Sequence, residues 1–210
     1  MGHACPACTP GLARGRACSA GTGERSNALS KHPERSNAPS KPALSNAEGD
    51  AAGARTARIA ILDIDYHHGN GTQEIFYSDP GVLFCSLHAH PDDDYPYYWG
   101  EAGERGEGAG EGFNRNWPLP QGTGDEAYLA ALDEALAVIH DFGPHYLVVS
   151  AGLDIAQDDP VGGFSITPAG FTAIGQRIAA LRRPTVIVQE GGYLLERLGE
   201  NAVAFLRAFE

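Results

Sequence analysis

The chain has 210 residues and a formal net charge of −12 at pH 7, with 27 Asp and Glu against 15 Lys and Arg. So acidic a chain is not expected to bind nucleic acid, because phosphate contacts need Lys and Arg. Its charge suits a soluble enzyme and attracts cationic small molecules. No apolar run approaches the roughly 20 residues that a membrane-spanning helix needs, so we expect no membrane segment.

Residues 1–56 differ in composition from the rest of the chain. They are rich in Ala, Ser, Gly, Pro, Arg and Asn, and the stretch Glu24–Ala28 (ERSNA) returns as Glu34–Ala38. A segment with so few large apolar residues cannot bury enough surface to offset the entropy lost on ordering. We therefore predict a disordered leader that is unrelated to the domain in residues 57–210. A rearranged or mistranslated upstream region would have this composition.

Cysteine usage and the N-terminus predict a cytoplasmic protein. Three of the four cysteines lie in the leader, so we expect no disulfide framework and a reducing compartment. No apolar stretch follows the N-terminal charges, so we expect no secretory signal.

From residue 57 onward, short apolar runs alternate with helical patterns. This alternation indicates an α/β fold with a parallel sheet flanked by helices, in which ligands bind at the carboxyl ends of the strands. The predicted strands are Arg58–Asp63, Val82–Leu87, Tyr146–Ser150 and Thr185–Val188, and the predicted helices are Gly71–Tyr77, Asp125–Phe142, Thr167–Leu181 and Leu194–Phe209.

Two of these strands run into potential metal ligands at their carboxyl ends. Asp65 and His67 follow the first strand, and Asp154 follows the third. Because Asp65 and His67 are two positions apart, an extended backbone points both to the same side. The three side chains offer the N and O ligands that a catalytic zinc ion typically takes while one position stays open. Such an ion polarises a carbonyl group and lowers the pKa of water to roughly 7.

Tyr193 and Asp63 complete the predicted site. Tyr193 follows two glycines after the fourth strand, and its phenol can donate a hydrogen bond to a developing oxyanion. Asp63 can orient a metal ligand by hydrogen bonding, without binding the metal itself. Each of these residues alone also fits an ordinary role as a loop residue, helix cap or rim tyrosine. The convergence of three strand ends favours a functional site.

Several motifs in the same order resemble one known family. The stretches Ile61–His88 (ILDIDYHHGNGTQEIFYSDPGVLFCSLH), Ser150–Thr167 (SAGLDIAQDDPVGGFSIT) and Gln189–Tyr193 (QEGGY) resemble the deacetylase superfamily of histone deacetylases and bacterial acetylpolyamine amidohydrolases. Tyr95–Thr123 is most similar to the acetylpolyamine and class II-like members. The resemblance covers about Arg58 to Phe209.

This resemblance implies an arginase/deacetylase-like three-layer fold and a zinc-dependent hydrolase that removes acetyl groups from acetylpolyamines or acetyl-lysine. It implies zinc at Asp65, His67 and Asp154, where Fe²⁺ or Co²⁺ would also fit, and Tyr193 as the tyrosine that stabilises the transition state. The related arginases hold two metals on a DxHxD strand. Here the later Asp is absent, so a single metal is favoured.

The resemblance also implies structural potassium sites and a substrate tunnel. Tyr95, Gly191 and Gly192 match the walls of the acyl-lysine tunnel. The Gly-rich run 103–112 is predicted as a rim loop, with substrate or homodimer contacts as the alternative. The positions that match monovalent-cation sites are Asp63, Asp65, His67, Ser86 and Leu87 for one ion, and Phe76, Asp79 and Val82 for a second.

One departure from the family pattern limits the expected activity. The general base of the family is a His-His pair upstream of the first metal-ligand strand, and the leader holds only His3 and His32, in no matching motif. The first strands of the family sheet are also missing. We therefore expect the C-terminal part of a deacetylase domain, with a truncated and inactive metal-binding fragment as the alternative to an active enzyme.

Overall fold

The computed structural model describes residues 57–210, so the predicted leader lies outside the described residues. The described residues form one five-stranded parallel sheet with helices on its faces, which confirms the predicted fold class. The strand order is β3-β2-β1-β4-β5. The strands are β1 (Ile59–Asp63), β2 (Val82–Ala89), β3 (Asn114–Leu119), β4 (Tyr146–Ala151) and β5 (Thr185–Gln189).

Four of these strands coincide with the predicted ones within one or two residues, whereas β3 was not predicted. Its sequence, NRNWPL, is polar and contains Pro118, so it lacks the continuous apolar run that marks the other strands. The strand lies at an edge of the sheet, where a proline is tolerated. The alternation of Asn114 and Asn116 with larger side chains was the available signal.

All four predicted helices are present. Thr167 accepts a hydrogen bond from the backbone N–H of Gly170, and Pro168 occupies the first turn, as the cap-then-proline pattern predicts. Gly143 ends the longest helix in the left-handed conformation, at φ 62°. The helices are α1 (Asn70–Phe76), α2 (Asp125–Phe142), α3 (Pro168–Ala179) and α4 (Leu195–Leu206), the last followed by a 3₁₀ turn at Arg207–Phe209. No helix within residues 57–210 is long and apolar enough to cross a membrane.

The hydrophobic core fills one face of the sheet. Side chains that alternate along the strands point towards α2 and α3 and are excluded from solvent, because strand residues alternate between faces. Burial of this face fixes the strand register, since a shift of one residue would turn the apolar side chains to the other side. The core includes Ala60, Leu62, Leu83, Cys85, Leu147 and Val149 from the sheet and Leu132, Ile139, Ile174 and Ile178 from the helices.

The opposite face is polar over β2 and β3. Gln73 on α1 is 2% exposed, and its Oε1 accepts hydrogen bonds from His68 Nε2 at 3.0 Å and from Asn114 and Asn116 Nδ2, each at 2.9 Å. Its Nε2 donates to Glu104 Oε2 at 2.6 Å. Glu104 lies in the predicted rim loop, so this buried network attaches that loop to α1 and β3.

Replacing Gln73 by leucine is expected to lower the free energy of unfolding by about 2–4 kcal/mol, because three buried donors lose their acceptor. Urea denaturation measures the change. Glu74→Leu, at an exposed position on the same helix, is the matched control and is expected to shift stability by no more than about 0.5 kcal/mol. Equal stability of the two variants would contradict the role of the network.

Candidate metal centre

Three neighbouring strands end at one site. The order β1-β4-β5 places their carboxyl ends side by side, because all three strands are parallel. Asp65 and His67 follow β1, Asp154 follows β4, and the Gly191–Tyr193 turn follows β5. The predicted convergence of strand ends is therefore present in the fold.

The side chains of Asp65, His67 and Asp154 converge with metal-ligand spacing. His67 Nδ1 lies 3.1 Å from Asp154 Oδ2 and 3.3 Å from Asp65 Oδ1. One ligand atom from each residue lies within 4.8 Å of the other two. Ligands at about 2.0–2.1 Å from a tetrahedral zinc ion are about 3.3 Å from one another, so the two measured separations fit such an ion.

Backbone N–H groups fix both carboxylates. Asp65 Oδ1 accepts from the N–H of His67 at 2.8 Å, and its Oδ2 accepts from the N–H of Gly191 at 2.9 Å. Asp154 Oδ1 accepts from the N–H of Tyr66 at 3.0 Å, which leaves its Oδ2 facing His67. Behind them, Asp63 Oδ1 accepts from the N–H of Asp65 at 3.0 Å, consistent with its predicted orienting role.

Two glycines allow the strand ends to approach the acidic side chains. A Cβ atom at Gly152 would overlap the side chain of Asp65, and one at Gly191 would overlap the carboxylate of Asp154. Gly191 had been predicted as a wall of the substrate tunnel. The structure gives a second reason for glycine at position 191, since any larger residue would displace the candidate metal ligand Asp154.

The electrostatics of the site favour a cation among these groups. Hydrogen bonds with Asp154 and then Asp65 raise the pKa of His67 to about 10, because both carboxylates favour a positive charge on the imidazole. Burial raises the pKa of Asp154, and the charge of Asp65 adds to this effect. Burial also acts to raise the pKa of Asp65, but hydrogen bonds from His67 and Gly191 outweigh it and lower that pKa. The same two carboxylates would also favour a metal cation at this position.

Tyr193 lies at the mouth of the site and is 49% exposed. Partial burial and the charges of Asp154 and Asp65 raise the pKa of its phenol, so the hydroxyl stays protonated and able to donate a hydrogen bond. Asp159 holds the backbone of this turn, since its Oδ2 accepts from the N–H groups of Tyr193 at 2.8 Å and Leu194 at 2.9 Å.

Asp159 is a structural anchor that the sequence did not reveal. The Asp-Asp-Pro sequence predicts an ordinary turn, and Asp159 Oδ1 does accept from Val161 N–H at 3.0 Å and Gly162 N–H at 3.1 Å. Its other oxygen reaches the Tyr193 turn, which is distant in sequence. The carboxylate, 6% exposed, therefore joins two loops at the site.

A loop of aromatic residues borders the opposite side of the site. The Tyr95 ring lies 6.3 Å from the His67 ring, so Tyr95 lies beside the site, and its role as a tunnel wall stays a prediction. The Tyr66 hydroxyl, anchored in the core beside Phe164, donates to Asp94 Oδ2 at 3.0 Å. The segment that carries the metal ligands therefore also positions this loop.

Of the residues predicted to bind monovalent cations, the first set lies around the end of β1, whereas the second set lies at the start of β2, towards the amino ends of the strands. Asp63 is buried at the end of β1, where burial raises its pKa well above the usual value. Ser86 pairs with it in register on β2, followed by Leu87. Phe76 ends α1, Asp79 lies in the following turn, and Val82 begins β2. The second set surrounds one turn, whose backbone is closed by a hydrogen bond from Asp79 N–H to the Phe76 carbonyl at 3.0 Å.

Gly191→Ala is expected to weaken zinc binding by about 10-fold to 100-fold, the range typical of disturbed partners of metal ligands. The added methyl group would displace the carboxylates of Asp154 and Asp65. Competition with a chromogenic chelator measures the affinity. Gly199→Ala is the control, because a Cβ there meets no atom within 4 Å, and zinc affinity should stay unchanged. Unaltered zinc affinity in Gly191→Ala would contradict the proposed ligand positions.

Asp159→Asn is expected to lower the free energy of unfolding by about 2–3 kcal/mol, because an amide NH₂ would face two backbone donors. Chemical denaturation measures this effect. Asp158→Asn is the matched control, since Asp158 is exposed and has φ 67°, a conformation that asparagine tolerates. If both variants unfold at the same denaturant concentration, Asp159 does not join the two loops as described.

The comparisons with known proteins identify one family. The Histone deacetylase domain family matches residues 47–209, so the match begins within the predicted leader. Acetylpolyamine amidohydrolase 1 of Pseudomonas aeruginosa is 50% identical over 158 residues, which cover 75% of this chain and 45% of that protein. Histone deacetylase 5 of Arabidopsis thaliana is 42% identical over 153 residues, covering 70% of this chain and 23% of that protein.

Solved structures agree with this assignment. The crystal structure of acetylpolyamine aminohydrolase from Burkholderia pseudomallei superposes with a TM-score of 0.71 at 47% identity, covering 73% of this chain and 45% of that one. The structure of the histone deacetylase Clr3 superposes with a TM-score of 0.70 at 37% identity, covering 73% of this chain and 27% of that one. The chain thus spans just under half the length of its acetylpolyamine amidohydrolase relatives. On its sequence and its fold together, the chain belongs to the histone deacetylase domain family.

Proposed function

We propose that the chain carries the metal centre of a zinc-dependent deacetylase, which hydrolyses the acetyl amide of an acetylated polyamine to acetate and the free amine. The observation that carries this proposal is the set of Asp65, His67 and Asp154, with ligand atoms 3.1 and 3.3 Å apart at the carboxyl ends of parallel strands. Zinc is the first choice for this donor set, and Fe²⁺ or Co²⁺ also fits.

The donor set supports a divalent ion on chemical grounds. Two carboxylates and one imidazole nitrogen converge, and the carboxylates raise the pKa of His67, so the site favours a positive charge. A metal ion held there would act as a Lewis acid on the acetyl carbonyl and make water more acidic. The protein supplies the rigid arrangement, because three backbone N–H groups fix the oxygens of Asp65 and Asp154.

Tyr193 would stabilise the charge that develops on the carbonyl oxygen. Its phenol is protonated, and its turn is fixed through Asp159, so the donor can be oriented before the reaction. Removal of one such donor typically costs about 10²–10³ in turnover. Gly191 and Gly192, which precede Tyr193 in the same turn, would line the tunnel that takes the acyl group.

An acetylated polyamine suits the surface beside the site. The aromatic residues Tyr95, Tyr97 and Tyr98 are 57%, 55% and 86% exposed. Asp92 and Asp93 precede them in an exposed turn. Exposed aromatic rings and carboxylates together attract the ammonium groups of such a substrate through cation–π and Coulomb interactions. The names of the bacterial relatives support this class, whereas the plant relative's name favours acetyl-lysine.

A structural potassium ion belongs to the same proposal. Asp63, Ser86 and Leu87, with backbone oxygens of Asp65 and His67, would hold it beneath the metal ligands. The buried carboxyl group of Asp63 supports a cation there, because a buried charge is costly unless it is paired.

A second candidate function is metal binding without deacetylation. Within residues 57–210, the histidines other than His67 are engaged elsewhere. His68 and His88 lie in the buried polar region, where they bind Gln73 and the Gly100 carbonyl. His90 Nδ1 lies 3.8 Å from Asp92 Oδ2. His140 and His145 flank the end of α2, remote from the strand ends that form the site. General acid–base catalysis typically contributes about 10²–10⁴ in rate, so a chain without a base would turn over slowly.

Purified chain is expected to bind one zinc ion, and Asp154→Asn is expected to lower the affinity at least about 100-fold while preserving an acceptor for the Tyr66 N–H. Elemental analysis after dialysis and chelator competition measure both quantities. Asp141→Asn, with a side chain 77% exposed, is the control and should bind zinc like the unmodified chain. Absence of bound zinc in the unmodified chain would refute the proposal.

Activity then separates the two candidates. Zinc-loaded chain is assayed on acetylputrescine, acetylspermidine and an acetyl-lysine peptide, with Tyr193→Phe as the comparison. Chelator-sensitive acetate release that falls about 10²-fold to 10³-fold in Tyr193→Phe, with zinc content unchanged, supports the deacetylase. Zinc binding without acetate release supports the second candidate.

A further inference from the structure

A buried chain of hydrogen bonds joins the predicted potassium residues to the aromatic loop Tyr95–Trp99. Ser86 Oγ lies 2.8 Å from His88 Nδ1, and His88 Nε2 lies 2.9 Å from the carbonyl oxygen of Gly100. Ser86 and His88 are fully excluded from solvent. Asp63 pairs in register with Ser86 on the neighbouring strand, so its side chain lies on the same face of the sheet. Ser86, His88 and Gly100 are called the relay below.

The carbonyl group at one end of the relay fixes the direction of its hydrogen bonds. A carbonyl oxygen only accepts, so His88 Nε2 carries a hydrogen and donates it to Gly100. Burial lowers the pKa of His88 to about 3, so the imidazole is neutral and its Nδ1 carries no hydrogen. The hydroxyl group of Ser86 therefore donates to His88 Nδ1.

This direction leaves the Ser86 oxygen available to a cation. A hydroxyl group has one hydrogen and two acceptor lone pairs. Because His88 Nδ1 takes the hydrogen, both lone pairs of Ser86 Oγ stay free on the face that also holds the buried carboxyl group of Asp63. Without an acceptor at Nδ1, the hydroxyl could turn its hydrogen towards the cation position and repel the ion.

The other end of the relay holds the aromatic loop. Gly100 directly follows Trp99, and its N–H donates to Glu104 Oε2 at 2.9 Å while its carbonyl binds His88. Its φ is 105°, and a Cβ atom there would overlap the rings of His88 and His68, so the position requires glycine. The end of the loop therefore lies directly on the relay.

We propose that His88 is a positioning residue that orients the Ser86 hydroxyl for a monovalent cation and, through Gly100, couples that cation to the aromatic loop beside the metal centre. A cation on Ser86 Oγ makes its O–H group a stronger donor, and the polarised imidazole then binds Gly100 more strongly, because hydrogen bonds in a chain reinforce one another. This inference rests on the structural potassium ion of the proposed function and adds a residue that acts on it without touching it.

Two variants separate the two ends of the relay. His88→Gln places an amide N–H near the position of Nε2, so it keeps a donor for Gly100 but offers Ser86 no acceptor. His88→Asn places an amide oxygen near the position of Nδ1, so it keeps the acceptor for Ser86 but loses the donor to Gly100. His140→Gln is the control, because the side chain of His140 is 76% exposed and lies at the end of α2.

The first measurement is the stabilisation of the full chain by potassium. Urea unfolding is followed over a range of KCl concentrations, with choline chloride keeping the ionic strength constant, since an ion that binds the folded state stabilises it by mass action. His88→Gln is expected to raise the half-stabilising potassium concentration about 10-fold or more, the range typical of lost partners of metal ligands. His88→Asn and His140→Gln should stay close to the unmodified chain. An unchanged potassium response in His88→Gln would overturn the proposal.

The second measurement reports on the loop. In a Trp117→Phe background, Trp99 is the remaining tryptophan of the chain. Potassium is expected to reduce acrylamide quenching of Trp99 fluorescence, and His88→Asn should abolish this effect while it keeps the potassium-dependent stability. A Trp99 response that persists in His88→Asn would overturn the coupling, because the donor to Gly100 is then not needed.

The outcomes distinguish this inference from the proposed function. An unmodified chain whose stability does not depend on potassium would refute the proposed ion, and the coupling with it. A potassium-dependent chain in which His88→Gln changes nothing would refute the role of His88 alone. Nitrogen-15 NMR of the imidazole gives an independent check without any ion. The Nε2–H form of His88 is expected, and the Nδ1–H form would overturn the assigned direction of the relay.

Discussion

The buried carboxylate of Asp154 is the constraint on which the site depends. It is fully excluded from solvent, and burying a carboxylate is costly unless it is paired and hydrogen-bonded. The β1–β4 register places Tyr66 N–H on one oxygen and His67 on the other, so the pairing of two strands satisfies the charge. Asp65 then adds a second carboxylate, and the excess negative charge selects for a cation between them.

The two faces of the sheet have different compositions and different roles. One face is apolar and holds the fold together through α2 and α3. The other holds the polar network of Gln73, Glu104 and the two asparagines, which fixes the rim loop. Tyr66 links the core to a further loop, because its ring packs in the core while its hydroxyl donates to Asp94 in the loop that carries Tyr95. The loop that carries Tyr95 is thus positioned by the same segment that carries the candidate metal ligands Asp65 and His67.

The sequence predicted the α/β class, four of the five strands and the convergence of Asp65, His67 and Asp154, because these depend on local patterns and on the geometry of parallel sheets. That these three residues bind a metal stays a prediction. It did not predict β3, whose asparagines serve a buried network that becomes visible only when Gln73 and Glu104 come together in space. Asp159 was missed for the same reason. Its local turn was evident, but its contact with the Tyr193 turn spans 34 residues. The roles of Tyr193, Tyr95 and the potassium positions stay predictions.

The candidate metal ligands and the proposed transition-state tyrosine depend on different strands of the sheet. The ligands and their backbone donors come from the ends of β1, β4 and β5, and β1 and β4 are internal strands with paired neighbours on both sides. Tyr193 follows β5, whose outer edge is unpaired within residues 57–210, and is itself half exposed, so the group proposed to act on the substrate is less supported. Catalysis requires donors and bases held in place before the reaction, whereas a metal ion can organise its own ligands on binding.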